Sequence, residues 1–524
     1  MIVRPERVAP RFSIITPVYN PPQDAFEECV RSVFSQTSND WEWCLVDDCS
    51  PKPWVKRRLL QLQAHDERVR VHFRERNGGI VAASNDALSL AEGDFIALLD
   101  NDDALHASAL EKVDAMLRAN DGIDYLYTDE DKVDETGRHY DTFPKPNWSP
   151  QRFLAQNYCS HLSVIRRSLV NEVGRFRPGF DGSQDYDLFL RVTERARLVA
   201  HLPEVLYHWR AVSGSTALAH DEKPYAFLAA MRAVRESLDR RHIEAEIGQA
   251  GPYPFQQVVR RLTRRPKISI IVPTCGTHKP VFGVDTCLVV NAVESILAKS
   301  TYPNYEILVV IDDHSPEEAW RGLRALGDER VRLVSYDKPF NFSDKCNLGV
   351  ALSEGEHVLL LNDDTEIIDE NWLEVLLSYM EEPDVAMVGP MLVLEDGRIQ
   401  SAGHSNTPIP HNFRTGQSIN GPGEFGVLAV ARECSGVTGA CALIRRSSYD
   451  AVGGMSLVFP KAFNDVDFAF KLLDAGRRII WTPVIRLFHF ETASRPKAVE
   501  SSEVELLHDR WQRKFDHDEY CRHV

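Results

Sequence analysis

The stretch Phe95-Ile96-Ala97-Leu98-Leu99-Asp100-Asn101-Asp102-Asp103 runs apolar and then turns abruptly acidic. A short apolar run of this kind reads as a strand buried on both faces, as found inside parallel sheets. Its C-terminal end delivers three carboxylates to one turn. In open α/β sheets that is the edge at which ligands bind. The phrase returns later in the chain as His357-Val358-Leu359-Leu360-Leu361-Asn362-Asp363-Asp364.

Working outward, five further segments recur in the same order. Ser13-Ile14-Ile15-Thr16-Pro17 returns as Ser269-Ile270-Ile271-Val272-Pro273, and Leu45-Val46-Asp47-Asp48-Cys49-Ser50 as Val310-Ile311-Asp312-Asp313-His314-Ser315. Ile165-Arg166-Arg167-Ser168 returns as Ile444-Arg445-Arg446-Ser447, Gln184-Asp185-Tyr186-Asp187 as Asn464-Asp465-Val466-Asp467, and Tyr207-His208-Trp209 as Phe488-His489-Phe490. The offset grows only from 256 to 281 residues, too long for a solenoid and suited to two whole domains. Strands are expected at residues 12–17, 43–46 and 95–99, and again at 268–272, 306–311 and 357–361. Helical apolar spacing lies between them, as at Phe26, Val30, Val33 and Phe34. This alternation predicts two doubly wound α/β domains with Rossmann-like, mostly parallel sheets. The expected division is 1–260, closing with a helical linker at 224–241, and 261–524, closing with a helical tail at 499–515.

A chain of 524 residues with 43% hydrophobic and 26% charged residues is an ordinary globular composition, long enough for two cores. The net charge of −17 argues against nucleic acid as a partner. A basic run at Arg260, Arg261, Arg264, Arg265 and Lys267 is expected to be exposed. Together with the tail it is a candidate for peripheral membrane contact, although a tail helix packed on the second domain is the preferred reading. No apolar run is long enough to span a bilayer and no signal peptide is read, so a cytoplasmic location is expected. The ten scattered cysteines read as reduced thiols.

The acidic turns carry the chemistry. Carboxylates two residues apart at a strand end can converge on a hard divalent cation, Mg²⁺ or Mn²⁺, which would also bridge diphosphate oxygens. Asp100 and Asp102 form this pair in the first half. In the second half Asn362 replaces the first acid and leaves Asp363-Asp364. Asp47-Asp48 and Asp312-Asp313 close the preceding strands, where a carboxylate can accept hydrogen bonds from a base or ribose; an Asx-turn is the equal alternative. Asn77-Gly78-Gly79 allows close backbone approach to a ligand. Asp185 and Asp465 each open a helix-like stretch and are the candidate general bases. His208 and His489 follow those acids by 23 and 24 residues, and either imidazole could complete a metal's coordination.

Taken together, these strings resemble family 2 glycosyltransferases of the GT-A fold, in the tandem bacterial form of O-antigen, capsule and other surface-polysaccharide gene clusters. The resemblance covers residues 12–217 and 267–495. Tyr127-Thr128-Asp129-Glu130-Asp131-Lys132, Lys145-Pro146-Asn147-Trp148-Ser149-Pro150 and Val437-Thr438-Gly439-Ala440-Cys441 are typical of that subgroup. The resemblance implies inverting transfer from a UDP-, GDP- or dTDP-linked sugar donor to a lipid-linked or oligosaccharide acceptor, with one active site per domain. Metal ligands would be Asp102 and His208, then Asp364 and His489. The nucleotide-sugar would lie beside Pro17, Tyr19, Asp47, Asp48, Asn77, Gly78, Asn85 and Asp100 in the first domain, and Pro273, Asp312, Asp313, Asn347 and Asp363 in the second. Asp185 and Asp465 would be the bases. Asn362 and a longer loop at 275–290 depart from the pattern in the second half. Rival readings are one catalytic domain with one acceptor-binding domain, a sugar nucleotidyltransferase, which would need a Gly-rich basic loop after the first strand, and a non-catalytic sugar-binding scaffold.

Overall fold

A computed structural model describes residues 9–211, 224–491 and 501–521. The ends of the two expected repeats, 212–217 and 492–495, and the first tail residues, Val499 and Glu500, lie outside them. The chain forms two compact units. One holds the described residues up to Trp148 together with Asn157–His242; the other holds Ser149–Gln156 and the described residues from Ile243 onward.

Nine strands of the first unit form one sheet: β1 (Phe12–Val18), β2 (Trp41–Asp47), β3 (Val69–Phe73), β4 (Phe95–Leu98), β5 (Ala104–Leu105), β6 (Ile123–Val133), β7 (His139–Phe143), β8 (Ser163–Arg166) and β9 (Leu198–Arg210). Their order is β3-β2-β1-β4-β8-β6-β9-β5, with β7 paired to β6. The run β3-β2-β1-β4 is parallel, and β8 enters antiparallel beside β4.

The second unit begins with a hairpin, β10 (Ala245–Gln249) and β11 (Gln256–Arg260), which sequence reasoning assigned to the first domain. There follow β12 (Ile268–Thr274), β13 (His278–Val281), β14 (Val284–Cys287), β15 (Tyr305–Asp312), β16 (Val331–Tyr336), β17 (His357–Leu361), β18 (Thr365–Ile367), β19 (Val385–Val393), β20 (Ile399–Ser401), β21 (His404–Ser405), β22 (His411–Asn412), β23 (Arg432–Glu433), β24 (Cys441–Arg445) and β25 (Arg478–His489). Its main sheet runs β16-β15-β12-β17-β24-β19-β25-β18, strand for strand the order of the first. The long loop at 275–290 is the β13–β14 hairpin and the start of the next helix.

Both sheets are pinned at the end away from the acids by the same buried polar clamp. Ser13 Oγ donates to Glu42 Oε1 at 2.7 Å and accepts from the Gly93 amide at 2.8 Å. Ser269 Oγ donates to Glu306 Oε1 at 2.7 Å and accepts from the Gly355 amide at 2.7 Å. Neither glycine has room for a side chain: a Cβ on Gly93 would lie 2.7 Å from the backbone of Ser13, and one on Gly355 2.6 Å from that of Ser269. The clamp fixes the heights of the parallel strands, so their carboxyl ends open as one edge.

Of the basic run, Arg261, Arg264 and Arg265 are exposed as expected, with Arg264 paired to Glu356, and Lys267 lies 2.9 Å from Glu354; Arg260 is instead buried against Glu382. The tail helix Ser501–Trp511 packs on the second unit, with Leu507, Trp511 and Phe515 against Phe470. No helix among the described residues is long and apolar enough to cross a membrane. All ten cysteines are free of disulfides.

One core position differs between the units in a way that titrates. Phe95 pairs with Phe12 and Arg166, and the Arg166 guanidinium lies 4.7 Å from its ring. His357 holds the same register against Ile268 and Arg445. Burial, reinforced by Arg445, pushes His357 down to about 4. Below the unfolded value of about 6.5 the unfolded chain takes up a proton that the folded unit refuses, so stability falls as pH drops from about 6.5 to 4. At about 1.4 kcal/mol per unit the loss approaches ~3 kcal/mol. His357→Phe is expected to remove most of this acid sensitivity. Denaturant melts of the second unit's transition at pH 7.5 and 4.5 measure it, and equal acid losses in wild type and variant would contradict the assignment.

Candidate active site

The strand order reverses at β1 and β12, so a crevice opens at the carboxyl ends of β1, β2 and β4, and again of β12, β15 and β17. The first acidic turn begins where β4 stops. Asn101 Nδ2 ties it back to the Pro17 carbonyl at 2.9 Å. Asp363 makes the corresponding tie in the second unit, accepting from Thr274 Oγ1 at 2.5 Å. One side chain of each motif therefore fixes the turn.

In the first unit Pro17, Asp100 and Asp185 line one pocket with Ser160, His161 and Gln184. Burial pushes Asp100 up to about 6; the charge of His161 opposes the shift, and Asp102 and Asp185 add to it. Burial also raises Asp102, Asp103 and Asp185. Asp103 is held by Tyr207 Oη at 2.6 Å and the Arg210 amide at 2.7 Å. Asp185 opens the helix Gln184–Thr193 and accepts from Asn157 Nδ2 at 3.0 Å.

The imidazole among these acids is His161, which precedes β8 and stacks on Tyr207 at 4.5 Å. Burial alone would depress it. The hydrogen bond and charge of Glu130, with Asp103 and Asp100, carry it up to about 9. Glu130 is itself held at 2.9 Å by Lys145, a fully buried ammonium that also donates to the carbonyls of Cys159 and His161. Ligand atoms of Asp100, Asp103 and His161 lie within 4.8 Å of one another. Two carboxylates and an imidazole fit a Mn²⁺ or Mg²⁺ ion, whose charge would oppose the burial, and the lesser mutual repulsion, that raise the acids.

His208 does not join them. Its Nδ1 lies 2.7 Å from Asp131 Oδ1, and its ring packs against His139. The register explains why. Ala104 pairs with His208, whereas Thr365 pairs with His489. With Asp102 matched to Asp364, the counterpart of His489 is Trp209, and that of His208 is Phe488. A one-residue slip on a strand turns a side chain to the other face.

The second unit keeps His489, with Nε2 3.1 Å from Asp364 Oδ1 and 3.4 Å from Asn362 Nδ2. The Asn362 amide oxygen is buried and finds no hydrogen-bond partner among the described residues. A neutral oxygen so placed beside Asp364 suits a hard cation. Asp465 accepts from the Gly439 and Val466 amides at 3.0 and 2.9 Å, and His404 lies 3.9 Å away.

Several expected nucleotide contacts are already engaged. Asp48 accepts from the Gly78 and Gly79 amides at 2.9 and 2.8 Å and pairs with Arg74, so it shapes the glycine loop. Gly79 has φ of 81°, which a residue with a side chain would resist. Asp47 accepts from the Ser50 amide at 3.1 Å. The Asn85 amide clamps the backbone of Phe176, donating at 2.9 Å and accepting at 3.1 Å; Asn347 does the same to Met455 at 2.9 Å both ways. Both asparagines are structural ties between a helix and the loop ahead of the candidate base. Asp312 meets the buried Lys345 at 2.5 Å, and Asp313 accepts from Ser335. Pro273 is buried in β12, whereas Tyr19 and Asn77 are exposed.

A family model described as Glycosyl transferase family 2 matches residues 13–174 and 269–453. The uncharacterized protein y4gI of Sinorhizobium fredii is 40% identical over 98% of this chain and 57% of its own length. The O-antigen biosynthesis protein RfbC of Myxococcus xanthus is 34% identical over 93% of this chain and 38% of its own. The chain thus spans little more than half of one relative and less than half of the other. Among solved structures, S. aureus TarS 1-349 is 22% identical with a TM-score of 0.36, covering 44% of this chain and 65% of that one.

The geometry separates the two histidines of the first unit. His161→Ala is expected to weaken Mn²⁺ binding at the first acidic turn by ~10-fold or more, and His208→Ala to leave it unchanged. Free Mn²⁺ followed by electron paramagnetic resonance during a titration distinguishes them, and the reverse order would refute the placement.

Proposed function

Because this chain belongs to Glycosyl transferase family 2, we propose that each unit is an inverting, metal-dependent glycosyltransferase that moves a sugar from a nucleotide-sugar donor to a growing surface polysaccharide. The observation that carries the reading is the pocket where Asp185 faces Asp100 and His161 at the carboxyl edge of the sheet. Asp185 is the base: burial raises its affinity for the proton it must take from the acceptor hydroxyl, and Asn157 fixes the carboxylate that receives it. Asp465 has this role in the second unit, oriented by two backbone amides.

Asp100, Asp102, Asp103 and His161 would hold a divalent cation in the first unit, and Asn362, Asp364 and His489 in the second. Such an ion supplies positive charge at the departing diphosphate. Without an ion Glu130 keeps His161 protonated, and the imidazole would release that proton on ligating the metal.

Two different donors fit better than one donor used twice. In the helix that follows the third strand of each unit, Lys345 stands where the first unit has Ala83, and it puts a buried ammonium against Asp312 at the nucleoside end. The two crevices therefore place their nucleoside-end cation differently, Arg74 against Asp48 in the first and Lys345 against Asp312 in the second. The same asymmetry leaves standing the reading in which only one unit performs chemistry.

A screen of UDP-, GDP- and dTDP-sugars with Mn²⁺ tests this on wild type, Asp185→Asn and Asp465→Asn. Each variant is expected to lose one linkage by ~10²–10⁴-fold and spare the other. Full activity of both variants on every donor would sink the assignment. Loss of all transfer in one variant alone would favour a single catalytic unit.

A further inference from the structure

The acidic string on β6 holds one residue that the transfer reaction does not use. Asp129 accepts from His201 at 2.7 Å and from the Lys145 amide at 2.8 Å, and Glu130 serves His161. Asp131 faces elsewhere. Its two oxygens meet two imidazoles, with His208 Nδ1 at 2.7 Å from Oδ1 and His139 Nδ1 at 2.9 Å from Oδ2. The two rings stand edge to face at 4.6 Å. We propose that Asp131, His139 and His208 form a second cation site in the first unit, for a divalent ion of the zinc class, separate from the acidic turn.

Three observations carry this. A ligand atom from each of the three lies within 4.8 Å of the other two. Around an ion with ~2.1 Å bonds, neighbouring ligand atoms stand ~3.0–3.4 Å apart, so the 2.7 Å separation would open by ~0.3–0.7 Å and the 2.9 Å one by ~0.1–0.5 Å. The donor set is two imidazoles and one carboxylate, which favours zinc and its neighbours over magnesium. Finally, the cluster is not sealed. It borders a cavity of about 270 Å³ lined also by Glu28, Arg31 and Arg210, through which an ion and its remaining waters would reach it.

Asp131, His139 and His208 come from three strands, β6, β7 and β9 in that order. Among the described residues β7 pairs with β6 alone, and half of the His139 side chain is exposed. A bound ion would therefore clip this edge strand to β9 through Asp131. The alternative is an imidazole–carboxylate cluster that holds protons only.

Metal-free full-length protein titrated with Zn²⁺ by calorimetry, and with Co²⁺ by visible absorption, decides between them. Wild type is expected to take up one zinc that is weakened at least 10-fold in His139→Ala and in His208→Ala, and kept in Asp102→Asn and Asp364→Asn. Zinc should also raise the melting temperature of the first unit in wild type and not in His139→Ala, a variant at a half-exposed position. Unchanged zinc binding in His139→Ala, loss confined to the Asp102→Asn or Asp364→Asn variant, or no uptake by wild type would each overturn the proposal.

Discussion

Four carboxylates crowd the carboxyl edge of the first sheet, and the surrounding structure is arranged to tolerate them. Two like charges 4 Å apart repel by ~4 kcal/mol at an effective dielectric near 20, so Asp100, Asp102, Asp103 and Asp185 cannot all stay ionised without compensation. Part comes from protonation, since burial raises all four. Part comes from donors: the Tyr207 hydroxyl and Arg210 amide both point at Asp103. The rest is an alternation of charge running out from the core, with Lys145 holding Glu130, Glu130 holding His161, and His161 facing the acids. A cation that entered the turn would take the place of the His161 proton in this pattern.

The second unit removes the problem at its source. Asn362 stands for Asp100, and Thr365 for Asp103, so two of the four charges are absent. The compensating cation disappears with them: by register with Arg166 and Arg445, the residue matching His161 is Ala440. The imidazole that remains, His489, comes from a different strand and meets the one acid still buried there, Asp364. The second unit lacks the two acids and the compensating imidazole together, so both units keep their local charge near balance.

The fold was readable because it rests on periodicity and repetition. Each buried strand shows as an apolar run, and a repeated order of runs implies a repeated sheet. The acids were readable for the same reason, being attached to strand ends. What escaped was anything set by register or by distant pairing. The spacings of 23 and 24 residues from Asp185 to His208 and from Asp465 to His489 read as a match, yet that one-residue difference is the slip that turns His208 away. His161 lies in a loop with no periodic signal, and its charge comes chiefly from Glu130, 31 residues earlier, with Asp103 and Asp100 adding to it. Asn85 and Asn347 are placed like ligand-binding amides, but each spends both its donor and its acceptor on the backbone across the site.

The boundary between the units shows the same limit most plainly. Sequence alone suggests a cut near residue 260, between one repeat and the next. Yet Ser149–Gln156, which lies within the first repeat, belongs to the second unit. There Ser149 and the Gln151 amide donate to Glu433, which also pairs with Arg478 at 2.6 Å, while the Gln151 side chain accepts from Arg260 at 2.8 Å. Glu433 and Arg260 are almost fully buried. A buried charge stripped of a partner costs ~3–5 kcal/mol, and dividing the chain at 260 would strip Arg260 from its unit and deprive Glu433 of two donors. The eight residues thus act as part of the second core. A sequence repeat marks where like strands and turns recur; it does not mark where each unit's buried charges find their partners.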